Sequence, residues 1–175
     1  MEFRKKVLTS NDDYYRFNLN HIKMRLLVNP ITFLILVPAA LYVVFPPPAG
    51  MHPLFMLFIG IPIALFFAAL LTWLSIRSLK KQSKKQYDSS KMLQTEAEVT
   101  ISGSGVAETS ELAQAEYAWA DIYKVSESGS GIYIYVSRLT ALIIPKRLFS
   151  TGEDADIRAI VCANLPAAKN KLKRK

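Results

Sequence analysis

Cysteine and histidine are the scarcest reactive residues in this sequence. Cys162 is the single cysteine, so neither an intramolecular disulfide nor a cysteine-based zinc cluster can form within the chain. We expect Cys162 to be a small buried residue on the last helix. Both histidines, His21 and His52, precede residue 92, which leaves the C-terminal part without a Ser-His-Asp or Cys-His site. The sequence therefore predicts no catalytic residues, no metal site, no cofactor and no enzyme activity.

Charged side chains are missing from the middle of the chain. Residues 26–76, which are 51 in number, include no Asp, Glu, Lys or Arg. An α-helix of about 20 apolar residues crosses the ~30 Å hydrocarbon core of a bilayer. We therefore predict a transmembrane hairpin with spans at residues 26–45 and 53–76. The intervening residues 46–52 contain three prolines and a glycine, which predicts a tight turn.

Neither predicted span carries an ionisable Asp, Glu, Lys or Arg. Channels and transporters usually place such groups along their pathway, and two helices cannot enclose a pore alone.

Pro38 and Pro62 lie inside the spans, where a proline more often kinks a membrane helix than ends it. Gly60 and Ala64 have the spacing of small residues that pack helices closely. We expect the first span to be retained rather than cleaved as a signal peptide.

The net charge of +8 is unevenly distributed. It amounts to +3 in residues 1–25, +5 in 77–91, −5 in 92–168 and +5 in 169–175. This distribution weakens a nucleic-acid interpretation, because the folded C-terminal part is acidic. The positive-inside rule places both termini in the cytoplasm, since the predicted turn has no charge. The basic residues flanking the spans include Lys23, Arg25, Arg77, Lys80, Lys81, Lys84 and Lys85.

Residues 1–25 predict a short strand at 2–8 followed by an amphipathic helix. Ser10 and Asp13 have the spacing of a capping box at the start of that helix. A helical stripe follows, made of Tyr15, Leu19, Ile22 and Leu26. Two interpretations remain open: the aromatic residues lie at the lipid headgroups, or this stripe packs on the C-terminal domain. The aromatic residues concerned are Tyr14, Tyr15 and Phe17.

Residues 77–91 are either a basic linker or an extension of the second helix, and residues 92–166 predict a β-rich domain. Alternating or β-branched segments predict strands at 96–101, 106–110, 115–122, 122–127, 132–136 and 139–144, the last ended by Pro145. Thr151 and Asp154 predict the cap of a closing helix that Pro166 ends. Its predicted core stripe is Ile157, Ile160, Val161 and Leu165. A basic tail, residues 167–175, follows.

Two Ser-Gly runs, residues 102–105 and 128–131, separate predicted strands. Phosphate-binding loops also contain glycine and serine, but neither run has the Gly-Lys-Ser/Thr ending or the full GxGxxG pattern. Glycine supplies the backbone freedom that tight turns need. We therefore interpret both runs as turns between antiparallel strands.

Four segments, taken in order, resemble the YcxB-like family of bacterial membrane proteins. They are Asp13-Tyr14-Tyr15-Arg16-Phe17-Asn18, Trp119-Ala120-Asp121-Ile122, Tyr133-Ile134-Tyr135 and Ile143-Ile144-Pro145-Lys146-Arg147-Leu148-Phe149. The resemblance implies an α+β membrane protein of the bacterial inner membrane. Its expected architecture is a two-helix transmembrane hairpin plus an antiparallel pleckstrin-homology-like domain with a C-terminal helix. It implies no catalytic mechanism.

Lys146 and Arg147 are the sharpest binding candidates, because two cations at a strand end can hold a lipid phosphate or an acidic partner. A solvated turn is the alternative for this pair. The lysines flanking the second span are further candidates for partner or lipid contact: Lys80, Lys81, Lys84 and Lys85. Three residues are expected to be structural, holding the sheet and the strand-to-helix turn: Trp119, Pro145 and Phe149.

These features favour a membrane-tethered cytoplasmic module that binds a protein partner, a second copy of itself or inner-leaflet lipid, and no nucleic acid. The alternative is an immunity-type or accessory subunit that acts through its hairpin. An enzyme is the least favoured hypothesis, because the C-terminal domain has no histidine and paired carboxylates such as Glu96 and Glu98 are expected to lie on one solvated face of a strand.

Overall fold

The computed structural model describes residues 2–46 and 54–172. They form two compact units. One contains the described residues up to Asn18 together with those from Ser83 onward, and the other is residues 19–82. The predicted turn 46–52, apart from its first residue, lies outside the described residues, as do the first residue of the second predicted span and the last three residues of the tail.

Two long helices account for the apolar middle of the chain. Helix α1 runs over Asn11–Val44 and helix α2 over Phe55–Ser89. Both are long and apolar enough to cross a membrane, with mean hydropathies of 2.2 and 2.4 in their most apolar windows. Residues 77–89 are helical and belong to α2. Pro38 and Pro62 lie inside these helices, as predicted.

The two helices of the hairpin lie close together at Gly60. A methyl group at this position would lie 3.0 Å from both Cα and Cβ of Pro38, so any larger residue would require Pro38 to shift by a few tenths of an ångström. Ala64 and Ala68 follow at helical spacing and are buried, whereas Ala69 is exposed. The small residues of α2 therefore pack within the hairpin, where they allow close approach of α1.

The first sheet contains four antiparallel strands in the order β1-β2-β3-β4. They are β1 Phe3–Val7, β2 Ala97–Ile101, β3 Gly105–Ser110 and β4 Gln114–Ala118. Strand β1 pairs with β2 along its whole length, although both long helices lie between them in the sequence. The N-terminal strand thus completes a sheet whose other members come from the C-terminal part.

The second sheet has the order β7-β6-β5-β8. Its strands are β5 Lys124–Glu127, β6 Gly131–Tyr135, β7 Ala141–Pro145 and β8 Asn170–Lys171. Strands β5, β6 and β7 are antiparallel neighbours, and β8 pairs with β5 in parallel. The beginning of the predicted basic tail is therefore part of this sheet, and the Lys169 ammonium donates to the carbonyls of Ala120 and Ile122.

Strand β6 is buried on both faces. Ile132 and Ile134 belong to the main core. Tyr133 and Tyr135 point to the other face, where Phe17 of α1 lies with ring centroids 5.4 and 5.8 Å away. The first turns of α1 thus cover the outer face of this sheet. For Tyr14 and Phe17 this agrees with packing on the C-terminal domain rather than with a place at the headgroups.

Short helices complete the domain: α3 Lys91–Gln94, a 3₁₀ turn Lys146–Leu148 and α4 Glu153–Asn164. The predicted core stripe of α4 is confirmed, because Ile157, Ile160, Val161 and Leu165 are all buried. They pack with residues from both sheets in one core.

The predicted cap of α4 at Thr151 and Asp154 was wrong by one residue. The Glu153 carboxylate accepts a hydrogen bond from the Ser150 N–H at 2.7 Å. Gly152 occupies the N-cap position with φ of 96°, a left-handed conformation that favours glycine. Ser150 and Glu153 have the S-x-x-E spacing, but their contact joins the preceding turn to the first residue of the helix and does not form a capping box, because Gly152 is the N-cap.

Three further expectations need correction. The third predicted strand, 115–122, ends at Ala118, because residues 119–121 form a turn. Pro145 is the last residue of β7 and does not end the strand before it. Proline has no backbone N–H to donate, and the neighbouring strand needs no donor at this position. Cys162 is exposed rather than buried, and its sulfur accepts a hydrogen bond from the Asn170 amide at 3.4 Å.

Candidate functional site

The two predicted cations lie directly after β7, where Lys146 and Arg147 begin the 3₁₀ turn. The Lys146 N–H donates to the carbonyl of Ser130 at 2.9 Å, so the turn is attached to the Ser-Gly loop before β6. The Phe149 N–H closes the turn by donating to the Lys146 carbonyl at 3.0 Å. The position of both cations is thereby fixed by backbone hydrogen bonds.

The Lys146 ammonium binds the carboxylate of Glu127, the last residue of β5. The Glu127 side chain is only 1% exposed, and Arg158 of α4 also binds it, at 2.6 Å. Arg158 in turn contacts Asp154, one helical turn earlier, at 3.3 Å. A buried carboxylate is costly unless it is paired and hydrogen-bonded, and here two cations supply that pairing.

Arg147 binds Asp13, which is 134 residues earlier in the chain. Its guanidinium donates to the Asp13 carboxylate at 2.7 and 3.1 Å and to the Leu8 carbonyl at 2.8 Å. Asp13 also accepts from the Ser10 N–H at 2.9 Å, and its own N–H donates to the Ser10 hydroxyl at 3.1 Å. The predicted capping box is confirmed, and its carboxylate joins the start of α1 to the end of β7.

Two opposing effects act on the pKa of the Asp13 carboxyl. Burial alone would raise the pKa, but hydrogen bonds from Arg147 and Ser10 outweigh it and hold the pKa below its ordinary value. Asp13 is therefore ionised in the folded domain at neutral pH.

A second contact links the N-terminal strand to α4. The Lys5 ammonium lies 2.9 Å from the Glu153 carboxylate, and each side chain is 25% exposed. The pKa of Glu153 is lowered by the Ser150 N–H first and by Lys5 second. We define the ionic seam as Lys5–Glu153, Asp13–Arg147 and Lys146–Glu127–Arg158. It connects β1, the start of α1, β5, the end of β7 and α4.

The ionic seam changes what Lys146 and Arg147 can do. A lipid phosphate at this corner would have to compete with buried carboxylates already bound in good geometry. Arg147 keeps half of its side chain exposed, so part of the guanidinium faces solvent. The predicted contact with lipid or an acidic partner stays a prediction.

The lysines predicted after the second span lie on α2, and each is exposed: Lys80, Lys81, Lys84 and Lys85. Helical geometry places positions four residues apart on the same face, so Lys80 aligns with Lys84 and Lys81 with Lys85. Lys84 lies 3.7 Å from Asp88 on the same helix, an exposed pair that contributes little stability.

Of the residues expected to be structural, Trp119 lies in the core, and its indole N–H donates to the Ser102 carbonyl at 2.9 Å. Phe149 contacts Phe3 edge to face, with ring centroids 6.2 Å apart. Pro145 is buried and pairs with Gly131 across the β6–β7 ladder. These positions connect the two sheets, the N-terminal strand and the turn before α4.

The second Ser-Gly run is a turn in which the Ser128 N–H donates to the Gly131 carbonyl at 2.9 Å. The hydroxyls of Ser128, Ser130 and Tyr133 lie within 3.0 Å of one another. These three hydroxyl groups are therefore hydrogen-bond partners of one another. Across residues 2–46 and 54–172, no three His, Cys, Asp or Glu side chains are placed to hold a metal ion.

Sequence reasoning missed the partners of the predicted cations. Asp13 was recognised only as a helix cap, and Glu127 was seen only as a strand residue. Their separation from Arg147 and Lys146 by 134 and 19 residues gives no local signal. The sequence holds one weak signal for Glu127. It lies two residues after Val125 and close to Ile132, in a strand pattern that indicates a buried charge.

A family model described as YcxB-like protein matches residues 101–161. This stretch runs from the end of β2 through most of α4, and it includes Trp119, Lys146 and Arg147. Comparison with curated proteins found no match, and comparison with solved structures found none either. The predicted resemblance to the YcxB-like family is confirmed over the matched residues.

Proposed function

Starting from the YcxB-like match at residues 101–161, we propose that this chain is an integral protein of a bacterial cytoplasmic membrane. Its two long helices span the bilayer, and both termini and the β domain lie on the cytoplasmic side. The domain serves as a binding or regulatory module for a protein partner or for inner-leaflet lipid. It has no enzymatic role.

The observation that carries this proposal is the insertion of both apolar helices between β1 and β2. These two strands pair over five residues each, from Phe3 with Ile101 to Val7 with Ala97. The sheet joins a strand that precedes the hairpin to strands that follow it. Two segments of the chain, rather than one linker, therefore connect the domain to the membrane helices. Such a connection suits a module that must act at the membrane surface.

The arrangement of the strands supports a pleckstrin-homology-like fold for the β domain. Four antiparallel strands form one sheet, three further antiparallel strands form the other, and a C-terminal helix packs on the core. Folds of this kind carry many unrelated functions, so the strand order supports the architecture and not a particular ligand.

Charge supports the orientation. The stretch 77–91 has a net charge of +5, and residues 26–76 have none. Basic residues near the ends of short membrane segments are retained on the cytoplasmic side. The exposed lysines of α2 are then available to anionic headgroups, each contributing about 1 kcal/mol near such a surface. They are Lys80, Lys81, Lys84 and Lys85.

The alternative, an immunity-type or accessory subunit acting through its hairpin, has less support. The small residues that suggested helix packing with another protein, Gly60 and Ala64, are used inside the hairpin. A partner would have to dock on the large apolar side chains that face outward, as lipid does.

Lipid and protein partners can be distinguished with the full chain purified in nanodiscs of phosphatidylglycerol and phosphatidylethanolamine. Phospholipid retained on transfer to detergent is measured by mass spectrometry. If the α2 lysines contact headgroups, a variant with glutamine at 80, 81, 84 and 85 should retain about half as much phosphatidylglycerol as the unmodified chain, or less. A matched variant is Lys6→Gln, Lys124→Gln, Arg138→Gln, Lys171→Gln, which removes the same charge from the β domain and should change nothing.

Equal retention by both variants would contradict lipid contact by α2. The protein-partner arm uses a photoreactive residue at exposed Arg138 in cells, with crosslinks analysed by mass. A discrete crosslinked species that survives loss of the four lysines supports a protein partner. Absence of any crosslinked species together with unchanged lipid retention would contradict the proposed module.

A further inference from the structure

A cavity of about 180 Å³ opens at one end of the β domain. It lies among β1, β2, β3, β4, β7 and the short helix α3. Its wall is mainly apolar, with Val99, Leu93 and Leu142 among the lining residues. Among the lining residues that the structure describes, Glu108 of β3 is the one carboxylate and Tyr117 the one other titratable residue.

Strand alternation explains why Glu108 faces this cavity. Val106, two residues earlier, is fully buried in the core, and residues two apart on a strand share a face. Across the ladder, Glu108 pairs with Val99, whose side chain is also buried. Glu108 therefore lies on the inner face of the first sheet and is half-buried there. Burial raises the pKa of its carboxyl.

The other carboxylates on the inside of this domain are matched by cations. Asp13 binds Arg147, and Glu127 binds Lys146 and Arg158. Among the residues that the structure describes, no side chain forms a hydrogen bond or ion pair with Glu108. Lys5 projects from the same face two strands away, but Glu153 holds its ammonium at 2.9 Å.

A half-buried carboxylate without a partner costs the fold stability, because it loses part of its contact with water without gaining a donor. A ligand that brings a donor into the cavity would remove that cost. We propose that this cavity binds a small apolar molecule carrying a protonated amine, with the Glu108 carboxylate as its counter-ion. The site belongs to the β domain alone and does not depend on the proposed membrane role.

The size of the cavity restricts the ligand. An apolar cavity of about 150 Å³ in another protein holds one benzene ring, so this cavity suits one ring or a chain of similar length. Ligand donors can reach Glu108, while the methyl and methylene groups of Val99 and Leu142 contact the apolar part. Larger amphiphiles, including whole phospholipids, do not fit inside.

Benzylamine, benzyl alcohol and benzoate are nearly isosteric probes that differ in charge. Their binding to the full chain in detergent micelles can be measured by saturation-transfer difference NMR at neutral pH. We expect saturable binding of benzylamine, about tenfold tighter than that of benzyl alcohol, and weaker binding still of benzoate. Glu108→Gln should abolish the preference for the amine.

Glu116→Gln is the matched control, because it removes the same charge from an exposed position on β4 and should leave the preference intact. The unmodified chain supplies an independent test. Benzylamine binding should weaken as pH falls through the raised pKa of Glu108, since the protonated carboxyl is no longer a counter-ion. Benzyl alcohol binding should not change.

Three results would each overturn the inference. They are no saturable benzylamine binding, equal affinity for the amine and the alcohol, and an unchanged preference in Glu108→Gln. None of them bears on membrane insertion or orientation, so failure here is distinct from failure of the proposed function.

Discussion

At the scale of single residues, the domain pairs its buried carboxylates with cations from distant parts of the chain. Asp13 and Glu127 are at most 8% exposed, and each contacts at least one arginine. Of their partners, Lys146 and Arg147 lie in the turn that follows β7 and Arg158 lies on α4, so the ionic seam fixes the junction between sheet, turn and α4. Stability at this junction should depend strongly on keeping each carboxylate paired.

We expect Arg147→Ala to lower the free energy of unfolding of the β domain by about 1–3 kcal/mol. The substitution leaves Asp13 buried with only Ser10 as a donor. Denaturant unfolding followed by tryptophan fluorescence measures the loss. Arg138→Ala, at an exposed position in the β6–β7 turn, is the control and should change stability by less than about 0.5 kcal/mol. Equal effects of the two substitutions would contradict the role assigned to Arg147.

Acid should destabilise the domain through Asp13. Because its folded pKa lies below the unfolded value, the ionised form stabilises the fold above the unfolded pKa of about 3.9. That contribution is lost as pH falls through the folded pKa. Unfolding free energies between about pH 6 and pH 3 should therefore decline in the unmodified chain, and less steeply in Asp13→Asn. Parallel profiles would show that Asp13 does not carry this dependence.

At the scale of helices and strands, local patterns predicted most of the fold. Alternation in 96–101 and 132–136 found β2 and β6, and the capping box at Ser10 and Asp13 found the start of α1. These signals are local because strand faces and helix caps depend on neighbours within four residues.

What the sequence could not predict is long-range. The notable cases are the pairing of β1 with β2, the contact of Phe17 with Tyr133, and the burial of Glu127. Each depends on segments whose proximity is set by the whole fold. The candidate site was found only in part, since Lys146 and Arg147 were identified and their carboxylate partners were not.

Packing of the hairpin should depend on which face of α2 is changed. Ala68→Leu places a large side chain in a buried position and should lower hairpin stability by about 1–3 kcal/mol. Ala69→Leu adds the same side chain at the adjacent exposed position and should have little effect. Resistance of the purified protein to unfolding in sodium dodecyl sulfate compares the two. A larger effect at 69 than at 68 would contradict the observed hairpin.

At the scale of the whole molecule, the β domain is assembled from both sides of the apolar hairpin. Phe3 is 5% exposed and packs in the domain core, although both long helices, α1 and α2, follow it in the sequence before the other strands of its sheet. The N-terminal strand is therefore a structural part of a domain encoded mostly after residue 90.

Phe3→Ala should destabilise the domain by about 3–5 kcal/mol, the usual cost of removing a buried aromatic ring. Proteolysis of the C-terminal part in membranes should accelerate accordingly. Arg4→Ala, on the exposed face of the same strand, is the control. If the two variants are digested at the same rate, β1 does not complete the domain.

The central claim is a hairpin that spans the membrane and holds the β domain in the cytoplasm. Cys162 tests it without any substitution, because it is the single cysteine and is exposed on α4. The measurement is labelling by a membrane-impermeant maleimide in sealed vesicles of both orientations, with detergent-opened vesicles as the reference. The account predicts labelling in inside-out vesicles and protection in right-side-out vesicles. Labelling from the outer side, or recovery of the chain in the soluble fraction, would contradict it.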